Sequence, residues 1–201
     1  MTIADVFSTI YRERHWSAGE NPSGPGSTMG YSAMFRFGFE GWMAARFPGG
    51  KEFLVVDAGC GNFHWMAEVQ FPKAAQYIGI DIVPEVIHEN RRKAEGRDWI
   101  QFWCDDFTDP KFQFPDTDIL LFRYVLQHLP EVLVRRALQN ALQHTNYLMA
   151  TTFPGTPPGE CDAGGLYLYD LEAYIGPADE VIAENWDPMY PTQKIGVWYG
   201  R

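Results

Sequence analysis

No stretch of the sequence approaches the ~18 consecutive apolar residues that a membrane-spanning helix needs, so a membrane partner is not expected. Cysteine is scarce: Cys60, Cys104 and Cys161 are odd in number and far apart, and imply no disulfide framework. Histidine is nearly as rare, at five residues, and nowhere do His, Cys and carboxylates fall at metal-ligand spacing; no metal site is expected. Basic residues are also short, since 16 Lys and Arg face 26 Asp and Glu for a formal charge of −10. Proteins that grip nucleic acid usually present a basic face, because phosphate contacts supply much of their affinity, so nucleic acid is not expected as a partner. The one dense basic patch, Arg91-Arg92-Lys93, has Glu89 and Glu95 nearby and reads as a solvated helix face. The opening Met-Thr-Ile-Ala-Asp lacks the basic and apolar regions of a secretory signal, and the expectation is a reduced, cytoplasmic protein.

What is present is ample apolar and aromatic material, 46% and 15% of 201 residues, enough for one sizeable core in a single domain. The most informative stretch is Phe53-Leu-Val-Val-Asp57-Ala-Gly59-Cys-Gly61-Asn-Phe63. An apolar, β-prone run ends in an acid, and a turn with two glycines follows, as where a buried parallel strand feeds a ligand-binding turn of an open α/β sheet. Gln76 to Asp81 repeats the pattern after an expected helix over 62–71. Trp99 to Phe107 is a third strand, closing on Asp105 and Asp106. An ionised carboxylate only accepts hydrogen bonds, so an acid at the second strand tip suits the hydroxyls of a ribose. An acid after the third suits the exocyclic amine of an adenine. Three acids along one sheet edge describe a nucleoside site.

The remaining periodicity predicts helices over 2–14, 29–47, 84–95 and 130–144, the last with Val132, Leu133, Ala137, Leu138 and Leu142 on its apolar side. Strands are predicted from Asp118, over 147–153, 181–186 and 194–199, the last two as an antiparallel pair. The fold class is therefore α/β, a three-layer sandwich around a mostly parallel seven-stranded sheet with an antiparallel C-terminal strand. N-terminal helices over 1–50 cap a core over 51–152, and 153–201 supply a loop and the final strands. Two Gly/Pro-rich segments, 15–28 and 153–169, are long enough to be functional loops.

These residues resemble the class I S-adenosylmethionine-dependent methyltransferases of the small-molecule type. Asp57, Gly59 and Gly61 match the family's acid-x-Gly-x-Gly turn, with Phe63 in place of a third glycine. Asp81 falls on its ribose-binding acid and Asp106 with Phe107 on its adenine contacts, Asp105 competing for that role. The segment Asp118 to Pro130, with His128-Leu129-Pro130 closing it, is similar to the family's fourth strand and following turn. The resemblance implies S-adenosyl-L-methionine as cofactor, S-adenosyl-L-homocysteine as product, and a cofactor site that also takes in Cys60, Ile82 and Arg123. Cys60 and Cys104 are expected as small buried neighbours of that site. An Asn- or Asp-Pro-Pro-aromatic turn, expected of a nucleic-acid amino-methyltransferase, is replaced by Arg123-Tyr124-Val125.

Methyl transfer from a sulfonium asks mainly for alignment and exclusion of water. A hydroxyl acceptor also needs a base, for which His128 is the first candidate, with a structural role in the turn as its rival. His15, Trp16, Asp162 and Tyr167 are the expected substrate contacts. His64 is expected as a packing or cofactor-side residue, and His88 and His144 on helix surfaces. The expectation is methyl transfer to a small polar molecule, with O-methylation of a sugar or other hydroxyl compound placed first. The alternatives are N-methylation of a small amine, a non-catalytic cofactor-binding partner subunit, and, lower, an NAD-dependent oxidoreductase. The last normally carries another glycine where His64 stands. Oligomeric state is not legible.

Overall fold

The computed structural model describes residues 2–17, 21–184 and 193–200; Ala18, Gly19, Glu20 and Trp186, which fall in expected elements or loops, lie outside the described residues. Seven strands form one sheet: β1 Phe53–Ala58, β2 Ala75–Asp81, β3 Ile100–Cys104, β4 Thr117–Phe122, β5 Thr145–Thr152, β6 Glu180–Glu184 and β7 Lys194–Tyr199. Their order is β3-β2-β1-β4-β5-β7-β6. The first five are mutually parallel, and β7 runs antiparallel between β5 and β6. The order reverses between β1 and β4, and a crevice opens beyond the carboxyl ends of strands at such a reversal.

Alternation along each strand builds two cores, one on either face. Val56, Leu120, Leu148 and Trp198 turn to the face covered by α1 (Ile3–Glu13) and α4 (Glu131–His144). Val55, Ile119, Met149 and Val197 turn to the face where α2 (Met29–Arg46) buries Phe35, Phe39, Trp42 and Met43. Helix α3 (Pro84–Lys93) flanks β2 and β3 with Pro84 in its first turn, where a missing N–H costs nothing. Helix α1 begins in a reciprocal cap: Thr2 Oγ1 accepts from Asp5 N, and the Asp5 carboxylate accepts from Thr2 N at 2.8 Å. A short α5 (Glu172–Ile175) precedes β6.

Two expectations need correction. The helix over 62–71 is reduced to a 3-10 turn at Met66–Glu68. Gly61 and Phe63 both take left-handed backbone, with φ 55° and 56°, which stops a right-handed helix at its start. Phe63 tolerates this because its buried ring is wedged between Tyr77 and Phe102. The face such a helix would cover is taken by α2, whose Phe35 and Phe39 meet Trp65 and Phe71 edge to face. On α4, Val132 is 60% exposed, while Val134 and Ala141 join Ala137 and Leu138 inside. The Arg91-Arg92-Lys93 patch is exposed, as expected of a solvated helix face, and from there the Arg91 guanidinium donates to Phe102 O at 2.7 Å and Lys93 Nζ to Asn62 O at 3.0 Å.

The turn after β1 touches the turn after β4 closely. Gly59 has φ +77°, and a Cβ there would lie 2.3 Å from Val125 Cγ2. Gly59→Ala is therefore expected to cost about 2 kcal/mol or more from left-handed strain plus overpacking. Urea unfolding checks this; a variant as stable as the wild type would show that the two turns separate freely.

Candidate active site

The glycine turn is fixed to the tip of β2 by one buried side chain. Asp81 accepts from Gly61 N at 2.9 Å through Oδ2 and from Val83 N at 3.0 Å through Oδ1. Gly59 N and Cys60 N both donate to Ile80 O, at 2.8 and 3.0 Å. Burial pushes the Asp81 carboxyl up to about 6, while the N–H groups of Val83, Gly61 and Ile82 pull it back toward ionisation. Asp57, at the end of β1, is buried beside it and accepts from Tyr77 Oη at 2.8 Å. Burial raises Asp57 to about 7 against the downward pull of Tyr77 and the Arg123 charge.

The cleft above these acids has a volume of about 760 Å³. Asp57, Gly59, Cys60, Gly61, Asp81, Ile82, Asp106, Phe107 and Arg123 all line it. Asp105 does not; it is exposed and caps Asp106 N at 2.9 Å, whereas Asp106 turns inward and accepts from Thr108 N and Oγ1. Cys104 is exposed rather than buried, as the last residue of the edge strand β3. His64 is also exposed and lies off the cleft, turned out where the expected helix is missing. His88 is exposed, and half-buried His144 pairs with Asp116 at 3.0 Å.

Arg123 is buried at the end of β4, its guanidinium 4.6 Å from the Trp65 ring centroid and 4.7 Å from that of Tyr124. Its Nη2 donates to Gly26 O at 2.9 Å, and among the described residues Nε has no hydrogen-bond partner. Burial lowers the group to about 10, so it keeps its charge at neutral pH. Arg123 thus holds the Gly/Pro loop as well as lining the cleft. A second staple holds the same loop: Ser23 Oγ accepts from Asn62 N at 3.0 Å and pairs with Tyr11 Oη at 2.8 Å, while Asn62 Nδ2 donates to Asn21 Oδ1 at 2.9 Å. Tyr11 and Ser23 line the cleft with Ile3 and Phe7, so α1 and the loop roof it. Sequence reasoning missed Asn21, Ser23, Asn62 and Tyr11; Asn21-Pro22-Ser23-Gly24 carried a turn signal but nothing that named its partners.

His128 stands where this cleft meets a second cavity of about 1110 Å³, which shares Trp16, Ser23, Ser27, Tyr124 and His128 with it. The imidazole stacks on Trp16, centroids 4.5 Å apart, and its Nδ1 lies 2.7 Å from Gly165 O. A carbonyl only accepts, so Nδ1 carries the proton and Nε2 keeps its lone pair. Burial also draws the imidazole below its ordinary pKa, against the Gly165 bond, which favours the neutral ring. Backbone bonds tie the loop to the same spot: Gly164 N donates to His128 O and Tyr167 N to Gln127 O, both at 2.8 Å. Tyr124 reaches its place at a strained φ of 53°, as functional residues at strand ends often do.

Of the four expected substrate contacts, Trp16 alone lines these two cavities. His15 turns out to pair with Glu13 at 2.8 Å. Asp162 is exposed and outside both linings. The Tyr167 hydroxyl bonds Pro157 O and its ring meets Tyr169, so it shapes the loop itself. Among the described residues no three His, Cys or carboxylate side chains gather as metal ligands would, and no helix is long and apolar enough to cross a membrane.

The two buried acids have a thermodynamic consequence. Their folded pKa values exceed the ordinary 3.8, so the folded state binds more protons than the unfolded one across the interval. The stability they contribute is full below about pH 4 and is lost as pH climbs through about 6 and 7. Asp57→Asn is expected to shrink the loss of stability between about pH 5 and pH 8 measured by urea unfolding. An unchanged pH slope would refute this account of Asp57.

Residues 55–146 match the methyltransferase domain family. No curated protein matches the chain. Among solved structures, the N-methyltransferase NodS from Bradyrhizobium japonicum WM9, in complex with S-adenosyl-L-homocysteine, is 13% identical over 97% of this chain and 98% of its own, with a TM-score of 0.69. Magnesium protoporphyrin IX methyltransferase from Synechocystis PCC 6803, with bound S-adenosylmethionine, is 14% identical over 98% and 96%, with a TM-score of 0.64. The mitomycin 7-O-methyltransferase MmcR is 18% identical over 85% and 55%, with a TM-score of 0.58. At these identities the structures attest the fold, and the domain match supplies the chemistry. Residues 55–146 are a methyltransferase domain, set in a chain that shares the Rossmann-like fold of these methyltransferases with bound S-adenosylmethionine or S-adenosylhomocysteine.

Proposed function

We propose that the enzyme methylates a hydroxyl group of a small molecule, with His128 receiving the acceptor's proton at Nε2. The observation that carries this reading is the Nδ1 bond to Gly165 O, which leaves Nε2 as the basic atom at the junction of the two cavities. The cleft lining fits the cofactor in its chemistry, with the carboxylates of Asp57, Asp81 and Asp106 beside apolar Ile82 and Phe107. When bound, S-adenosylmethionine supplies an electrophilic methyl group on a good leaving group. The protein then has to bind, orient and keep water away. In this reading Asp81 accepts the ribose hydroxyls, its oxygens already aimed by Gly61 N and Val83 N. Asp106 and Phe107 serve the adenine, and the turn from Asp57 to Gly61 the amino-acid end. Arg123 acts through Gly26 and the surrounding rings, holding the roof in place. Burial keeps His128 neutral and ready to take a proton at physiological pH. The acceptor enters from the second cavity, where Trp16 and Tyr124 supply faces for it.

Asp81→Ala is expected to weaken S-adenosylhomocysteine binding about 100-fold by calorimetry, since two charge-assisted hydrogen bonds are lost. In the wild type the same affinity should fall as pH drops through about 6, because a protonated Asp81 accepts poorly. Unchanged affinity in either experiment would refute the ribose assignment. An acceptor screen with labelled methyl donor should find hydroxyl compounds rather than amines. With the best of them, His128→Ala should lower kcat about 100-fold or more and leave S-adenosylhomocysteine affinity intact. Full turnover in that variant would assign His128 to the turn alone, and turnover of amines with His128 dispensable would favour N-methylation.

A further inference from the structure

We propose that the acceptor is an uncharged molecule with a flat face and an edge that pairs a hydrogen-bond donor with an acceptor, and that Gln193 reads that edge. The inference rests on the reading of the second cavity as the acceptor site. Among its described lining residues there is no Asp, Glu, Lys or Arg, although the chain as a whole carries a formal charge of −10. An ionised acceptor would leave water there with no opposite charge to meet it, which costs far more than a hydrogen bond returns. Phosphorylated and carboxylated acceptors are thereby disfavoured, as are cationic amines. Trp16, Tyr124 and Phe153 give the cavity aromatic faces, against which a planar group stacks.

The polar signal comes from Gln193. It lies one residue before β7, is 3% exposed and lines the cavity, yet among the described residues neither Oε1 nor Nε2 has a hydrogen-bond partner. Each buried polar atom left without one costs about 1–3 kcal/mol, so a buried amide idle at both ends is expensive unless a ligand engages it. A primary amide offers one donor and one acceptor side by side. Its complement is a carboxamide, a lactam or a hydroxyl beside a carbonyl. Gln193 also borders a smaller void of about 230 Å³ beside Arg123 and Tyr124, where a trapped water is the competing use of its amide.

The test uses the intact enzyme saturated with S-adenosylhomocysteine and three probes built on one phenol ring: salicylamide, which is neutral with the paired edge, salicylate, which is of the same size and charged, and phenol itself, which lacks the edge. Salicylamide should bind at least about tenfold tighter than either of the others by calorimetry. Gln193→Leu should remove about tenfold of the salicylamide affinity, change phenol little and leave S-adenosylhomocysteine binding as it was. Salicylate binding as well as salicylamide would overturn the neutral-acceptor inference. Equal salicylamide affinity in Gln193→Leu, or no salicylamide binding at all, would overturn the reading by Gln193. Loss of S-adenosylhomocysteine binding by the wild type would strike the cofactor assignment instead, which separates the two failures.

Discussion

The site hangs on the buried carboxylate of Asp81. Its two oxygens take one backbone N–H from the glycine turn and one from the start of the following helix, so a single side chain fixes three pieces of backbone around one point. A hydrocarbon there would leave two N–H groups without partners inside the protein. An acid there bears a desolvation penalty in place of that loss, visible as its raised pKa. The turn is thus held open and in register before any ligand arrives, which is the form of preorganisation a positioning enzyme needs.

On that foundation the Gly/Pro loop is fastened twice, from opposite sides. Ser23 and Asn21 reach the glycine turn through Asn62, and Gly26 reaches the end of β4 through Arg123. The loop contributes to both cavities because it crosses from one strand tip to the other at the sheet's reversal point. Tyr124, forced to positive φ, turns its ring against Gly26, where a Cβ would already stand 3.2 Å from the ring. Glycine there is a matter of thickness: the loop must be thin where it passes an aromatic ring.

Much of this was legible in the sequence because it depends on neighbours along the chain. Strand after strand could be read from apolar runs ending in acids, and β7 falls over 194–199 as expected. The acids Asp57, Asp81 and Asp106 line the cleft because strand tips in a parallel sheet share an edge. What was not legible depends on partners far away in sequence. The segment over 62–71 has a composition a helix accepts, and only the left-handed turn at Phe63 and competition from α2 remove it. Asp105 and Asp106 are one pleat apart, so a single residue of register decides which faces inward. His15 and Asp162 sit on the right segments with the wrong orientation, a matter of side-chain direction that spacing does not encode. Asn21 and Ser23 look like ordinary turn residues until Asn62 is beside them.

One pairing joins distant parts of the chain. Trp42 Nε1 on α2 donates to Glu180 Oε2 on β6 at 3.0 Å, and Arg46 bonds both Glu180 and Tyr199. The helix synthesised among the first elements therefore finds its polar partners only when the last strands have been made. During synthesis its buried face of Phe35, Phe39, Trp42 and Met43 has no finished sheet to cover. Contacts of such long sequence separation slow folding and prolong the exposure of apolar surface. The edge that completes the sheet is thus also the latch on a helix made long before it, and the nascent chain stays sticky until that latch closes.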